Sequence, residues 1–191
     1  MSKKVCIVGC NANNVEAPFS EKGWEFWGIN CLYLYLNSSP FTRWFEIHKF
    51  SVTLGGTWLR KGKREYMGTS VNLYLSGLNS LEIPVYMQHK IPLIWKSIAF
   101  PKAEITNKFG NYFTSSAAWM MALAIHEGFD TIGLYGLNMD HESEYHFQKP
   151  CLEYYIGLAK GLGIEILTPE NCGLLHSDHL YGFDEIIKSF N

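Results

Sequence analysis

Four short, largely apolar runs in this chain each stop on glycine or a polar residue: Val5–Val8 at Gly9, Glu25–Ile29 at Asn30, Arg43–Ile47 at His48, and Thr131–Tyr135 at Gly136. A continuous apolar run of this length fits a strand buried on both faces, the situation of parallel sheets covered by helices. Helical patterns fall between the runs. Ser70 caps a short helix reaching about Leu78, and Ser116–His126 is apolar nearly all round and ends at Gly128. Pro150–Leu162 has proline in its first turn and Gly163 at its end, while Pro84–Met87 and Ile164–Leu167 add strands and Phe183–Phe190 a closing helix. Alternation of this kind without an internal repeat predicts an α/β fold: a Rossmann-like parallel sheet flanked by helices, in a single domain spanning residues 1–191.

Two stretches break the rhythm. Residues 51–69 are polar and glycine-bearing, which suggests an exposed insertion; residues 89–110, with Pro92 and Pro101 and no clear period, read as a long irregular excursion of the sort that forms lids or oligomer contacts. With 191 residues, 47% of them hydrophobic and 18% charged, the chain can bury a substantial core. A net charge of −2 and a pI of about 6.4 give no footprint for duplex nucleic acid. The one dense basic run, Arg60, Lys61, Lys63 and Arg64, reads as a solvated loop face or as a phosphate contact. Cys6, Cys10, Cys31, Cys151 and Cys172 contain no CxxC pair and read as reduced, small core residues. Nothing resembles a signal peptide or the roughly 18 uninterrupted apolar residues of a membrane span. A cytoplasmic protein with no membrane partner is expected.

In open parallel sheets, ligands sit outside the carboxyl ends of the strands, so the residues that terminate these runs are the candidates for function. Phe113–Tyr145 carries the densest set. Thr114, Ser115 and Ser116 place hydroxyls and unpaired N–H groups at a helix start, where an anion is favoured. Asn138, Asp140, His141, Glu142, Glu144 and Tyr145 follow the strand Thr131–Tyr135. The loop Gly9–Asn14 follows the first strand but has neither GxGxxG spacing nor a P-loop lysine. Its Asn11, Asn13 and Asn14 either hydrogen-bond a ribose, base or phosphate or serve as turn residues. Glu46 and His48 alternate along a strand end and so share a face, as an acid/base pair or as a structural hydrogen bond. Asp140, His141, Glu144 and His146 have the chemistry of a divalent-metal site, yet they read first as a solvated acidic loop, and His176, Asp178 and His179 lack a helix to fix their geometry. No metal and no cofactor are expected. Of the tryptophans Trp24, Trp27, Trp44, Trp58, Trp95 and Trp119, most should fill core or interface rather than stack a base.

Gly9-Cys10-Asn11-Ala12-Asn13, then Asn30, then Thr114-Ser115-Ser116, then Gly136-Leu137-Asn138 occur in an order that resembles the Rossmann-type sialyltransferases of glycosyltransferase family 42 and the related DUF115 group, with the look of a small phage-encoded member. There a GNGPS-type loop, an asparagine after the second strand, a TSG turn and a GID-type strand end occupy these places. The resemblance covers about two thirds of the chain and implies nucleotide contacts from Asn11, Asn30, Thr114 and Ser115, with Tyr145 near the phosphate. The chain departs from the pattern at GCNAN, at Asn138 in place of the Asp, and at Asp140, where an aromatic residue is the rule. The family's catalytic histidine falls nearest to His146.

The expected function is binding of a nucleotide or nucleotide-derived phosphate ligand at the carboxyl edge of the sheet, by Gly9, Asn11, Asn13, Asn30, Thr114, Ser115, Ser116, Asn138 and Tyr145. In one reading it carries glycosyltransferase-like chemistry with a nucleotide-sugar ligand: His146 or His48 is the general base, Asp140 orients it, and Ser115 and Tyr145 stabilise the leaving phosphate. In the other it is a non-catalytic phage sponge that sequesters a nucleotide immune signal in the host cytoplasm. A scaffold-only phage protein is a third. Homo-oligomerisation through the aromatic-rich excursions is left open.

Overall fold

The computed structural model describes residues 2–36, 40–53, 56–59, 65–66, 69–139, 145–177 and 179–183. Eleven strands follow in chain order: β1 (Lys4–Val8), β2 (Trp24–Ile29), β3 (Arg43–Glu46), β4 (Phe50–Thr53), β5 (Gly56–Leu59), β6 (Glu65–Tyr66), β7 (Thr69–Ser70), β8 (Val85–Met87), β9 (Ser97–Ala99), β10 (Thr131–Tyr135) and β11 (Glu165–Leu167). The helices are α1 (Val71–Ser80), α2 (Lys102–Phe109), α3 (Ser116–His126) and α4 (Tyr145–Gly161), with 3-10 turns at Ala12–Glu16 and Asn30–Leu34. Seven strands form one sheet in the order β11-β10-β1-β2-β3-β8-β9, every pair parallel. Two antiparallel ribbons, β4-β5 and β6-β7, stand apart in the stretch read from sequence as an insertion.

Alternate side chains of the parallel strands enter two separate cores, as the period-2 geometry of a strand requires. Val5, Ile7, Trp27, Ile29, Phe45, Ile132 and Leu134 face α2, α3 and α4, whereas Cys6, Val8, Phe26, Trp44 and Val85 face α1 and the 3-10 turns. This double cover explains why the runs are apolar without alternation. Trp27, Trp44, Tyr74, Tyr155, Phe45 and Phe129 are the largest fully buried side chains, and each contributes roughly 1.5–3 kcal/mol of burial free energy. In α3 every residue from Met120 to Ile125 is buried, since the helix lies between sheet, α2 and α4.

The excursion at 89–110 is not irregular throughout. β9 pairs with β8 at the sheet edge, and α2 follows Pro101, held by Ile105, which is fully buried. Both elements are short and owe their order to the sheet edge and to α3, so neither leaves a period in the sequence. α4 begins at Tyr145, ahead of the start expected at Pro150. Pro150 removes only the bond to the His146 carbonyl, and Cys151, Leu152, Tyr155, Ile156 and Ala159, all fully buried, fix the helix to its neighbours. The expected helix Phe183–Phe190 lies outside the described residues except for Phe183.

β1 is the pivot of the sheet, because the chain leaves it towards β2 on one side and returns to β10 on the other. Gly9 and Gly136 follow these two strands and touch backbone to backbone. A Cβ at Gly9 would lie 2.1 Å from the Gly136 carbonyl oxygen, and one at Gly136, whose φ is +69°, would lie 2.5 Å from the Gly9 oxygen. Gly9→Ala is therefore expected to destabilise the fold by about 1–3 kcal/mol in urea denaturation. Gly157→Ala, on the exposed face of α4 where a Cβ meets nothing, should be neutral or stabilise by up to about 1 kcal/mol. Equal midpoints for Gly9→Ala and the parent would refute the close-contact account.

Candidate functional site

The loops leaving β1 and β10 open the crevice at the point where the strand order reverses, the usual ligand position in such sheets. They are fastened by amides. Gly9 N–H donates to the Tyr135 carbonyl at 2.7 Å and Asn11 N–H to the Gly136 carbonyl at 3.1 Å. Asn11 Nδ2 donates to the Asn138 carbonyl (2.7 Å), and Asn13 Nδ2 to Asn138 Oδ1 (3.0 Å). Gly136 N–H in turn donates to Asn13 Oδ1 (3.0 Å), Asn14 Nδ2 to the Gly9 carbonyl (3.2 Å), and Asn138 Nδ2 to the Asn171 carbonyl (3.2 Å). The side chains of Asn11, Asn13 and Asn138 thus hold one loop to the other. A carboxylate at position 138 could accept from Asn13 but could not donate to Asn171, so the asparagine there completes the network.

Asn30 is placed differently. It ends β2 with φ +48°, a left-handed backbone that asparagine tolerates better than most residues, and its carbonyl accepts from Trp44 Nε1 at 2.9 Å. Its Oδ1 is buried and has no hydrogen-bond partner in the protein. A buried acceptor left unpaired costs about 1–3 kcal/mol, so a donor from a ligand or water belongs there.

Thr114–Ser116 leads into α3. Ser115 caps α3, its Oγ accepting from Ala118 N–H at 3.1 Å, and the first-turn N–H groups of Ser116 and Ala117 point out of the helix start. Thr114 Oγ1 donates to the Phe147 carbonyl (2.8 Å), which brings the first turn of α4 and its exposed His146 beside the turn. Phe113 stacks on Trp119 at 3.6 Å and on Tyr155 at 4.9 Å, so the approach to Thr114 is set by packed rings. Asp140 lies outside the described residues, as do His141, Glu142, Glu144, Asp178 and the basic run at 60–64; of Tyr145 only the backbone is described. Among the described residues no group of three or more His, Cys, Asp or Glu side chains could hold a metal.

At the ends of β2 and β3 a second polar cluster faces the α1 side. Glu46 is fully buried; its Oε1 accepts from His48 N–H (3.1 Å) and meets His48 Nδ1 at 2.5 Å, while Oε2 accepts from the Tyr74 hydroxyl. The shared face read from the alternation is real, but Tyr74, on α1, gave no signal in the sequence. Cys10 and Cys31 lie alongside, with sulfurs 3.8 Å apart. The hydrogen bond shared with Cys10 lowers the Cys31 thiol to about 7 against the opposing effect of burial, while the same bond and burial push Cys10 up. The sequence suggests core cysteines at both positions; Cys31 is buried, and Cys10 is exposed because it lies in the bend beyond the end of β1. Register carried the clue: Val8 pairs with Gly28, which puts the residues just beyond both strands side by side. A pocket of about 280 Å³ adjoins this edge, lined by Ile47, Gln88, His89, Phe100, Lys102 and Trp119.

No protein-family model matches the chain, and no curated protein matches it in sequence. Solved structures share its fold. Two of them are of the sialyltransferase CstII from Campylobacter jejuni, one in complex with the substrate analogue CMP-3FNeuAc and one with cytidine-5'-monophosphate. The first gives a TM-score of 0.55 at 13% identity over 86% of this chain and 79% of that one; the second gives 0.53 at 14% identity over 87% and 79%. The sheet is thus a sialyltransferase-like arrangement in fold.

The Glu46–Tyr74 contact can be measured directly. A double-mutant cycle of Glu46→Gln and Tyr74→Phe, read by urea denaturation, is expected to give a coupling energy above about 0.5 kcal/mol, as for residues in one buried network. Additive single effects would mean that the carboxylate and the phenol do not sense each other.

Proposed function

We propose that this chain binds the nucleotide part of a phosphate-linked donor in the crevice between the β1 and β10 loops, and that the adjoining edge carries glycosyl-transfer-like chemistry. The observation that carries the reading is the buried, unpaired Oδ1 of Asn30 at the end of β2. It offers an acceptor to a ribose hydroxyl or an exocyclic amine of a base. The start of α3, with Ser115 and Ser116, suits the phosphate, because its N–H groups and dipole favour negative charge. Gly9 lets the two loops meet backbone to backbone, while Asn11, Asn13 and Asn138 act by holding the crevice open in one shape. Two sialyltransferase structures of the same fold were solved with CMP or a CMP-sugar analogue, which supports a nucleotide as ligand.

For transfer, His48 is the better-supported base. Glu46 engages its Nδ1, the geometry of a base with its orienting carboxylate, and the imidazole takes the proton of an acceptor hydroxyl. The acceptor oxygen then bonds to the donor's sugar carbon as the bond to the phosphate breaks, and charge gathered on the leaving phosphate is stabilised at the α3 start. His146 is brought beside the Thr114–Ser116 turn by the Thr114–Phe147 bond and is the second candidate, with Asp140 and Tyr145 beside it in sequence. The pocket lined by Lys102, His89 and Trp119 provides room for the part of the substrate beyond the nucleotide.

A second reading is favoured by the amide fastening of the crevice, since a preformed site suits stoichiometric capture as well as turnover. There the chain sequesters a nucleotide-derived signal intact, as a phage protein opposing host immunity would.

A panel of nucleotides and nucleotide sugars, read by thermal shift and by mass spectrometry of bound and free fractions, separates these readings. A ligand at 100 times its Kd is expected to stabilise the fold by about 2.7 kcal/mol. Asn30→Ala should weaken binding of that ligand about tenfold or more, in keeping with the loss of one well-placed hydrogen bond. Release of free nucleotide that His48→Gln abolishes supports transfer, whereas intact ligand recovered after long incubation supports capture. A panel in which nothing shifts the melting temperature overturns the nucleotide reading.

A further inference from the structure

We infer that Cys10 and Cys31 form a redox-active dithiol at the carboxyl edge of the sheet, which closes to an intramolecular disulfide by exchange with a small disulfide of the glutathione class. The two sulfurs are already 3.8 Å apart, and a disulfide needs about 2.05 Å, so the closure requires the sulfurs to move by less than 2 Å. Both residues lie where the backbone can supply that movement. Cys10 is in the bend between β1 and the 3-10 turn Ala12–Glu16, and Cys31 is the second residue of the 3-10 turn Asn30–Leu34. Neither is inside a strand of the sheet.

The pair is divided in the way an exchange reaction uses. Cys10 is exposed and meets the incoming disulfide; Cys31 is buried behind it and resolves the adduct. The hydrogen bond between them eases the loss of the first proton, and the resulting monoanion belongs to the pair rather than to either sulfur. In the first step Cys10 sulfur bonds to one sulfur of the oxidant and releases one glutathione thiolate. In the second, Cys31 sulfur attacks Cys10 sulfur, the mixed disulfide breaks, and a second glutathione leaves. Two protein thiols are oxidised, one disulfide is reduced to two thiols, and the two protein protons pass to the leaving thiolates.

The other cysteines do not fit this chemistry. Cys6, Cys151 and Cys172 are buried; burial pushes the Cys6 thiol up, and Cys151 Sγ donates to the Tyr112 carbonyl at 3.2 Å. A transient or sensing role is the usual one for a disulfide formed inside a reducing compartment. The inference stands on the thiol geometry and does not depend on the ligand of the crevice.

The test is incubation of the reduced 191-residue chain with oxidised glutathione, followed by intact-mass analysis and non-reducing peptide mapping. The expected product has lost two hydrogens, carries no glutathione, and links the Cys10 peptide to the Cys31 peptide. Cys31→Ser should stop at the mixed disulfide, one glutathione per chain at Cys10, and Cys10→Ser should form no internal disulfide. Phenylarsine oxide, which bridges close thiols, gives a check on the parent chain that needs no variant: one arsenic per chain spanning the same two peptides is expected. A lasting glutathione adduct on Cys10 in the parent, a crosslink through Cys6, Cys151 or Cys172, or unchanged mass would each overturn the proposal.

Discussion

Contact between the backbones leaving β1 and β10 is the constraint on which the rest of the molecule turns. Parallel strands that exit in opposite directions along a sheet leave a gap between their loops. Here the gap is spanned at its base by Gly9 against Gly136 and by N–H···O bonds from Gly9 and Asn11. Side-chain amides then extend the fastening outward to Asn138 and Asn171. The gap therefore has a floor of fixed backbone, while Asn30 at the end of β2 and Ser115 at the start of α3 are positioned by a strand and a helix rather than by loops alone.

The fold was largely legible because double burial of the sheet writes itself into the sequence. Val5–Val8 and Thr131–Tyr135 are apolar on both faces, and glycine or asparagine marks where each strand leaves the core. β9 and α2 escaped that reading because three residues at a sheet edge and a helix with one fully buried anchor carry no period of their own. The start of α4 was missed because Pro150 reads as a first-turn residue, whereas tertiary packing carries the helix past it.

The site was legible by position and less so by role. Ser115 is a cap at a helix start, as its place before an apolar stretch indicated. The asparagines of the first loop were visible as polar groups at a strand end, but no local pattern shows that Asn11 and Asn13 bond residues more than 120 positions away. The same distance problem hid Tyr74 from Glu46 and Cys10 from Cys31. Contacts of this kind come from register and helix placement, which a single sequence encodes only through the whole fold.

The two edges of the sheet are also held by different chemistry. At the amino edge the fastenings are ionic: Arg43 pairs with Glu25 at 3.1 Å and with Glu127 at 2.7 Å while lying over the Trp27 ring, and the Lys3 N–H donates to Asp130. Between the described β1 and β10 loops the fastenings are neutral amides. Relative motion of these two loops therefore breaks no ion pair, whereas motion at the amino edge must separate full charges. The loops at the carboxyl edge are thus joined by bonds that added salt screens little, unlike the ion pairs at the opposite ends of the strands.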